Sequence, residues 1–125
     1  MVRKQNLETL KPCIEYDKDT VRYFLRGLYD SEGSNYRCIR ISLANGDLSL
    51  LRYAQYLLKE YFNIKATEPY LVARAGSIME RKGYKRKVNV YRIEIYRKRD
   101  VQIFLSKIGF SIRGKQLGLP RRRIS

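Results

Sequence analysis

Residues 24–34 read Phe-Leu-Arg-Gly-Leu-Tyr-Asp-Ser-Glu-Gly-Ser, which sets two carboxylates, Asp30 and Glu32, just ahead of Gly33. Upstream, Val21, Phe24, Leu25 and Leu28 recur at helical spacing, and Gly33 is placed to stop the helix. Both acids therefore fall at a helix C-terminus, where the macrodipole disfavours negative charge. A carboxylate set against its local field invites a compensating cation. Gly27 and Ser31 are four apart, so they form a stripe of small residues along one side of the same helix. The chain has no histidine. That removes Ser-His-Asp and Cys-His hydrolysis, His-ligated zinc and every nuclease with a His general base. Any hydrolysis must run on carboxylates, metal ions, Lys or Arg, and water.

The second chemical signal is charge: 27 Lys and Arg stand against 12 Asp and Glu in 125 residues, a formal +15. Such a field attracts polyanions and speeds their encounter. Nucleic acid comes first among them, because each neutralised phosphate releases counterions. An anionic membrane surface fits less well, since the basic residues gather around strands and turns rather than on one amphipathic helix. No apolar run is long enough to span a bilayer. No apolar stretch follows the N-terminal Met-Val-Arg-Lys-Gln, so the expected location is intracellular, in a prokaryotic cytoplasm or an organelle. Cys13 and Cys38 are too few for a disulfide scaffold or a Cys-only zinc site; they read as small buried apolar residues. Tyr supplies 11 of the aromatic residues, and its polar tip suits a boundary between core and partner.

The elements that must hold these groups follow from periodicity. Residues 1–16, with Pro12, read as an extended lead-in. Asp17 to Thr20 starts the acid-bearing helix. Residues 36–43 read as one strand, with Ile39, Ile41 and Leu43 on one face and Tyr36, Cys38, Arg40 and Ser42 on the other. Asn45-Gly46-Asp47 makes a turn, and Asp47 or Ser49 caps an amphipathic helix running to about residue 62. Residues 64–79 are strand-like, interrupted by Pro69 and Gly76. Residues 80–87 carry five basic residues around Gly83 and read as a hairpin tip. Residues 88–97 alternate, with Tyr91, Ile93 and Ile95 opposite Arg92, Glu94 and Tyr96. A last helix runs from about Asp100 to Ile108, ended by Gly109, and 111–125 is a basic C-terminal tail. The whole chain reads as one α+β domain.

From Leu25 to Gly33 the chain resembles the motif of the LAGLIDADG homing endonucleases. Leu25, Gly27, Leu28, Asp30 and Gly33 match; Glu32 replaces the penultimate Asp and keeps the carboxylate; Arg26, Tyr29 and Ser31 differ. The resemblance implies an αββαββα fold with a curved antiparallel sheet that forms a DNA-binding saddle. It further implies that motif helices from two subunits pack along Phe24, Gly27, Leu28 and Ser31. Only one motif is present, so a homodimer would bring two Glu32 carboxylates to one DNA duplex. The implied activity is a double-strand cut in a long, near-palindromic DNA target, dependent on Mg²⁺, with Mn²⁺ able to substitute. Glu32 and a backbone carbonyl near Ser31 would hold the metal, with Arg37, Arg40 or Lys98 as the assisting basic group. The sheet would read bases in the major groove with Tyr36, Arg40, Ser42, Arg74, Arg92 and Glu94, while Arg37, near the catalytic helix, could contact a phosphate instead. Arg81, Lys82, Lys85, Arg86 and Lys87 would touch backbone phosphates, contacts that position without specifying sequence.

Two other readings stay open. One is a non-cleaving protein of the same fold, an intron maturase or a transcription regulator. The other is a small basic RNA-binding protein in which the helix-end Glu-Gly is accidental.

Overall fold

The computed structural model describes residues 4–73, 78–79, 84–85 and 89–119. A first helix, α1 (Lys4–Ile14), leads into α2 (Lys18–Glu32), and α2 passes without a loop into strand β1 (Gly33–Tyr36). Strand β2 (Arg40–Asn45), helix α3 (Leu48–Phe62) and strand β3 (Tyr70–Ala73) follow, then the short strands β4 (Ile78–Met79) and β5 (Tyr84–Lys85), strand β6 (Val90–Ile95) and helix α4 (Lys98–Ile103). A π turn, Phe104–Ile108, continues α4, and a short helix, α5 (Arg113–Gln116), comes last among the described residues.

Four strands form one open antiparallel sheet in the order β1-β2-β6-β3, and β4 pairs with β5 separately. From α2 to α4 the order agrees with the expected αββαββα once the separate β4–β5 pair is set aside, with α1 added before it and α5 after. The long helices cover one face of the sheet. Val21, Leu25 and Tyr29 of α2, Leu51, Ala54, Leu57 and Leu58 of α3, and Ile41, Leu43, Ile93 and Ile95 of the sheet are fully buried in one core.

Local chemistry explains the boundaries. Asp17 caps α2 by accepting from the Thr20 amide at 2.8 Å, and the Thr20 hydroxyl accepts from the Asp17 amide at 3.0 Å. A cap of this kind contributes about 1 kcal/mol. Asp47 caps α3 by accepting from the Ser49 and Leu50 amides. Gly33 closes α2 in an extended conformation, φ −95°, not a left-handed one. Its need for glycine is space: a Cβ there would stand 2.7 Å from the Tyr29 ring and 2.8 Å from the Tyr29 carbonyl oxygen. Overpacking of this kind costs about 1–3 kcal/mol. Gly33→Ala is therefore expected to lower stability by that amount, read as a shift in the urea midpoint at unchanged slope.

Three sequence expectations are corrected. Residues 4–14 are helical, not extended. Pro12 does remove one internal hydrogen bond, but α1 is held from outside. Leu7 and Ile14 are buried, the Lys11 ammonium lies 4.9 Å over the Tyr53 ring, and the Glu15 carboxylate just past the helix accepts from Tyr53 at 2.7 Å and Tyr61 at 2.8 Å. The hydrogen bond to Glu15 pushes the Tyr61 phenol up to about 12. Residues 36–43 are not one strand: Arg37 and Cys38 adopt left-handed backbone, φ 51° and 59°, and turn the chain between β1 and β2. Ile39 consequently lies exposed in that turn rather than beside Ile41 and Leu43. Cys13 and Cys38 are both exposed, not buried. Cys13 neighbours the inward-facing Ile14 on α1 and so points away from the core, while Cys38 sits in the β1–β2 turn.

Candidate functional site

The carboxylate end of α2 is fixed from below by an aromatic cluster. The buried Tyr29 ring lies 4.7 Å from Phe104 and 6.3 Å from Phe110, centroid to centroid. On the next turn position Asp30 faces the C-terminal segment, and its side chain accepts from the Ser111 amide at 2.8 Å. Glu32 is exposed. Among the described acids only Glu32 and Glu60 have no hydrogen bond or ion pair; the others are caps, accept from tyrosines or amides, or pair with Lys or Arg. A free carboxylate set against the negative end of a helix is the group that a hard cation, which takes oxygen ligands, would compensate. Among the described residues no three His, Cys, Asp or Glu side chains of one chain converge. One chain thus offers Glu32 and nearby carbonyls, part of a shell that phosphate oxygens, water and a second carboxylate would have to complete.

The exposed side of α2 is the small-residue stripe. Gly27 is exposed and a Cβ built on it meets nothing within 4 Å. Ser31 is also exposed, its hydroxyl donating only to the Leu28 carbonyl at 3.2 Å. Phe24 and Leu28 flank the stripe and are partly buried against the core.

The uncovered face of the sheet carries the second array. Directly paired residues share a face, and register sets Ser34 beside Ser42 beside Glu94, Tyr36 beside Arg40, and Ala44 beside Arg92 beside Tyr70. The Ser34 and Ser42 hydroxyls are 2.7 Å apart. Glu94 uses both carboxylate oxygens within the chain: Arg40 Nε lies 3.3 Å from one, and the Tyr70 hydroxyl donates to the other at 3.0 Å. The Arg40 guanidinium also stacks 5.3 Å from the Tyr36 ring, and the Arg37 guanidinium lies 5.5 Å from the same ring. Arg40 is thereby held along its Nε edge, with its terminal nitrogens unpaired among the described residues. Arg92 makes no ion pair there either, and its Nε is buried without a partner.

The site residues expected from sequence therefore separate into two groups. Glu32 and Ser31 share the end of α2. Tyr36, Arg37, Arg40, Ser42, Arg92 and Glu94 share the sheet face or the turn at its edge. Arg37 and Arg40 stand at the far end of β1 from Glu32, four to five residues of extended chain or roughly 13–16 Å away. Lys98 follows β6 beyond Ile95, which pairs with Ile41, so it lies toward that same far end. Arg92, opposite Ala44, is the basic residue whose register comes nearest to the start of β1. Sequence reasoning missed Lys115, which donates to the carbonyls of Asp30 at 2.6 Å and Tyr29 at 3.4 Å. Its signal was indirect: α2 has no basic residue in its own last turn. Arg74, Arg81, Lys82, Arg86 and Lys87 lie outside the described residues, and of Lys85 only the backbone is described.

Comparison with known proteins agrees with this arrangement. A family model of LAGLIDADG-like domains matches residues 19–109. An uncharacterized protein of Methanocaldococcus jannaschii is 37% identical over 123 residues, 94% of this chain and 42% of that protein. The crystal structure of I-DmoI in complex with its target DNA in the presence of Mg aligns with a TM-score of 0.56 at 22% identity, over 83% of this chain and 49% of that one. The chain thus spans less than half the length of either protein. At that identity the structural likeness speaks to the fold, the open antiparallel sheet and flanking helices of the LAGLIDADG homing endonucleases. With the Leu25–Gly33 helix end leading straight into that sheet, and a family match over most of its length, the chain belongs to the LAGLIDADG family.

Proposed function

We propose that this chain is a site-specific DNA endonuclease of the homing type, acting as a homodimer. The observation that carries the reading is the Glu32 carboxylate, unpaired among the described residues, at the end of a helix whose outer stripe, Gly27 and Ser31, is open among them. Two such helices packed along that stripe bring two Glu32 side chains together, one for each strand of a duplex. The I-DmoI structure, a complex with target DNA in the presence of Mg, supports DNA as the partner.

Bound Mg²⁺ supplies Lewis-acid activation of water and of the phosphodiester. Glu32 and the Ser31 carbonyl would hold it. The residues of the sheet face bind and orient the duplex. Tyr36, Arg37, Arg40, Ser42 and Arg92 face the groove, where a bidentate Arg reads guanine best. Glu94 serves as the buttress of Arg40. Arg92, by register the nearest basic residue of the sheet to the scissile region, steadies the phosphate as charge develops.

The test is incubation of the protein with plasmids carrying random genomic inserts, with Mg²⁺ and with EDTA. Rare, site-specific linear products in Mg²⁺ alone are expected. Salt-sensitive shifting of any RNA with no DNA cut would instead favour a basic RNA-binding protein. Glu94→Gln adds a finer expectation. Losing the carboxylate charge frees Arg40, so base preference at the pair it reads falls by about 1–3 kcal/mol of discrimination, while total affinity holds or rises. A binding selection on randomised sites measures both; an unchanged profile would mean that Arg40 does not read a base.

A further inference from the structure

The described residues beyond the family match, 110–119, form a clasp around the carboxylate end of α2. Lys115 donates to the Asp30 and Tyr29 carbonyls, and the Ser111 amide donates to the Asp30 carboxylate. The clasp is tied to the sheet as well. The Asn35 amide nitrogen of β1 donates to the Lys115 carbonyl at 2.7 Å, while Asn35 Oδ1 accepts from the Cys38 amide at 2.9 Å. Gly118, at φ +69°, lies so close to the β1–β2 turn that a Cβ would stand 2.7 Å from the Cys38 nitrogen. Within the clasp, the Gln116 side chain accepts from the Phe110 amide at 2.8 Å and donates to the Leu105 carbonyl at 2.9 Å.

We infer that Lys115 is a positioning residue for cleavage: from 85 residues away it holds the last-turn carbonyls of α2 and so fixes where the Ser31 carbonyl and Glu32 stand. The last turn of α2 carries two acids and no base, so its carbonyls and its acidic side chains repel one another. Lys115 supplies the missing cation at the carbonyls, not at the carboxylates. Glu32 is left unpaired for a ligand, while the backbone beneath it is pinned. The half-buried Lys115 ammonium is committed to these carbonyls and is not a free phosphate contact. The inference rests on the reading of Glu32 as the metal-holding acid.

The test uses the full chain with Lys115→Met and Lys115→Arg. Target affinity is measured in EDTA, and the single-turnover cleavage rate is measured at saturating DNA over a range of Mg²⁺. A displaced ligand costs rate more than binding, so Lys115→Met is expected to lower the rate at least about tenfold and to raise the Mg²⁺ needed, with affinity within about threefold. Lys115→Arg, which can donate to the same carbonyls, restores most of the rate. A Lys115→Met protein that cuts at the wild-type rate, or that loses rate and affinity in proportion, overturns the inference. Hydrogen exchange separates this from failure of the functional reading itself. Amides from Gly33 to Cys38 exchange faster in Lys115→Met if the clasp exists. Unchanged exchange overturns the inference even if the wild-type protein never cuts DNA.

Discussion

Glu32→Gln is expected to abolish the proposed cleavage while sparing folding and DNA binding. The side chain is exposed and has no partner among the described residues, so the amide removes no contact seen there. Relief of the unfavourable helix-end charge is expected to leave stability unchanged or raise it by about 0.3–1 kcal/mol. DNA affinity in EDTA should hold or rise, because one negative charge leaves a surface that meets phosphates. Cleavage behaves differently. Losing a group that merely supports a metal ligand typically costs 10–100-fold in affinity or activity, so losing the ligand itself should cost more than about 100-fold. Single-turnover cleavage, a gel-shift titration and a thermal melt on the same preparation measure all three. A variant that still cuts would show that Glu32 does not hold the metal. A variant that loses DNA binding as well would place Glu32 in recognition rather than chemistry.

The second large effect concerns Gly27. A glycine inside a helix is about 1 kcal/mol worse than alanine, and among the described residues nothing calls for it, since a Cβ there meets nothing within 4 Å. In the proposed homodimer the reason is close approach of the partner helix. Gly27→Ala is expected to raise the stability of the separated subunit by up to about 1 kcal/mol. Gly27→Leu should likewise leave the subunit folded but prop two motif helices apart, costing the dimer and nearly all double-strand cutting. Analytical ultracentrifugation beside a cleavage assay reads both. If Gly27→Leu sediments as the wild type does and still cuts, the two helices do not meet along this stripe.

The parts of the fold legible in the sequence are those fixed by local rules. Asp17 and Thr20 announce the start of α2 because capping is a short-range hydrogen-bond pattern. The alternation of 90–95 announces β6 because one face is buried and the other is not. The helix end bearing Glu32 was legible for the same reason. What the sequence concealed depends on distant partners. Among its described side chains, helix α1 buries Leu7 and Ile14, too sparse a pattern to outweigh Pro12, and it is held by tyrosines of α3. The β1–β2 turn hides because Arg37 and Cys38, neither of them Gly or Asn, take positive φ. The clue was Asn35, whose side chain accepts from the Cys38 amide and closes the turn. Lys115 looked like one base in a basic tail, since its partners on α2 lie 85 and 86 residues away.

That two Glu32-bearing helix ends work as a pair is tested most directly by selecting cut sites from a randomised duplex library in Mg²⁺ and sequencing both new ends. The account predicts paired cuts, one in each strand, about a common centre, in sites with two-fold sequence symmetry over about two turns of DNA. Single-strand nicks, or cut sites without two-fold symmetry, would contradict it.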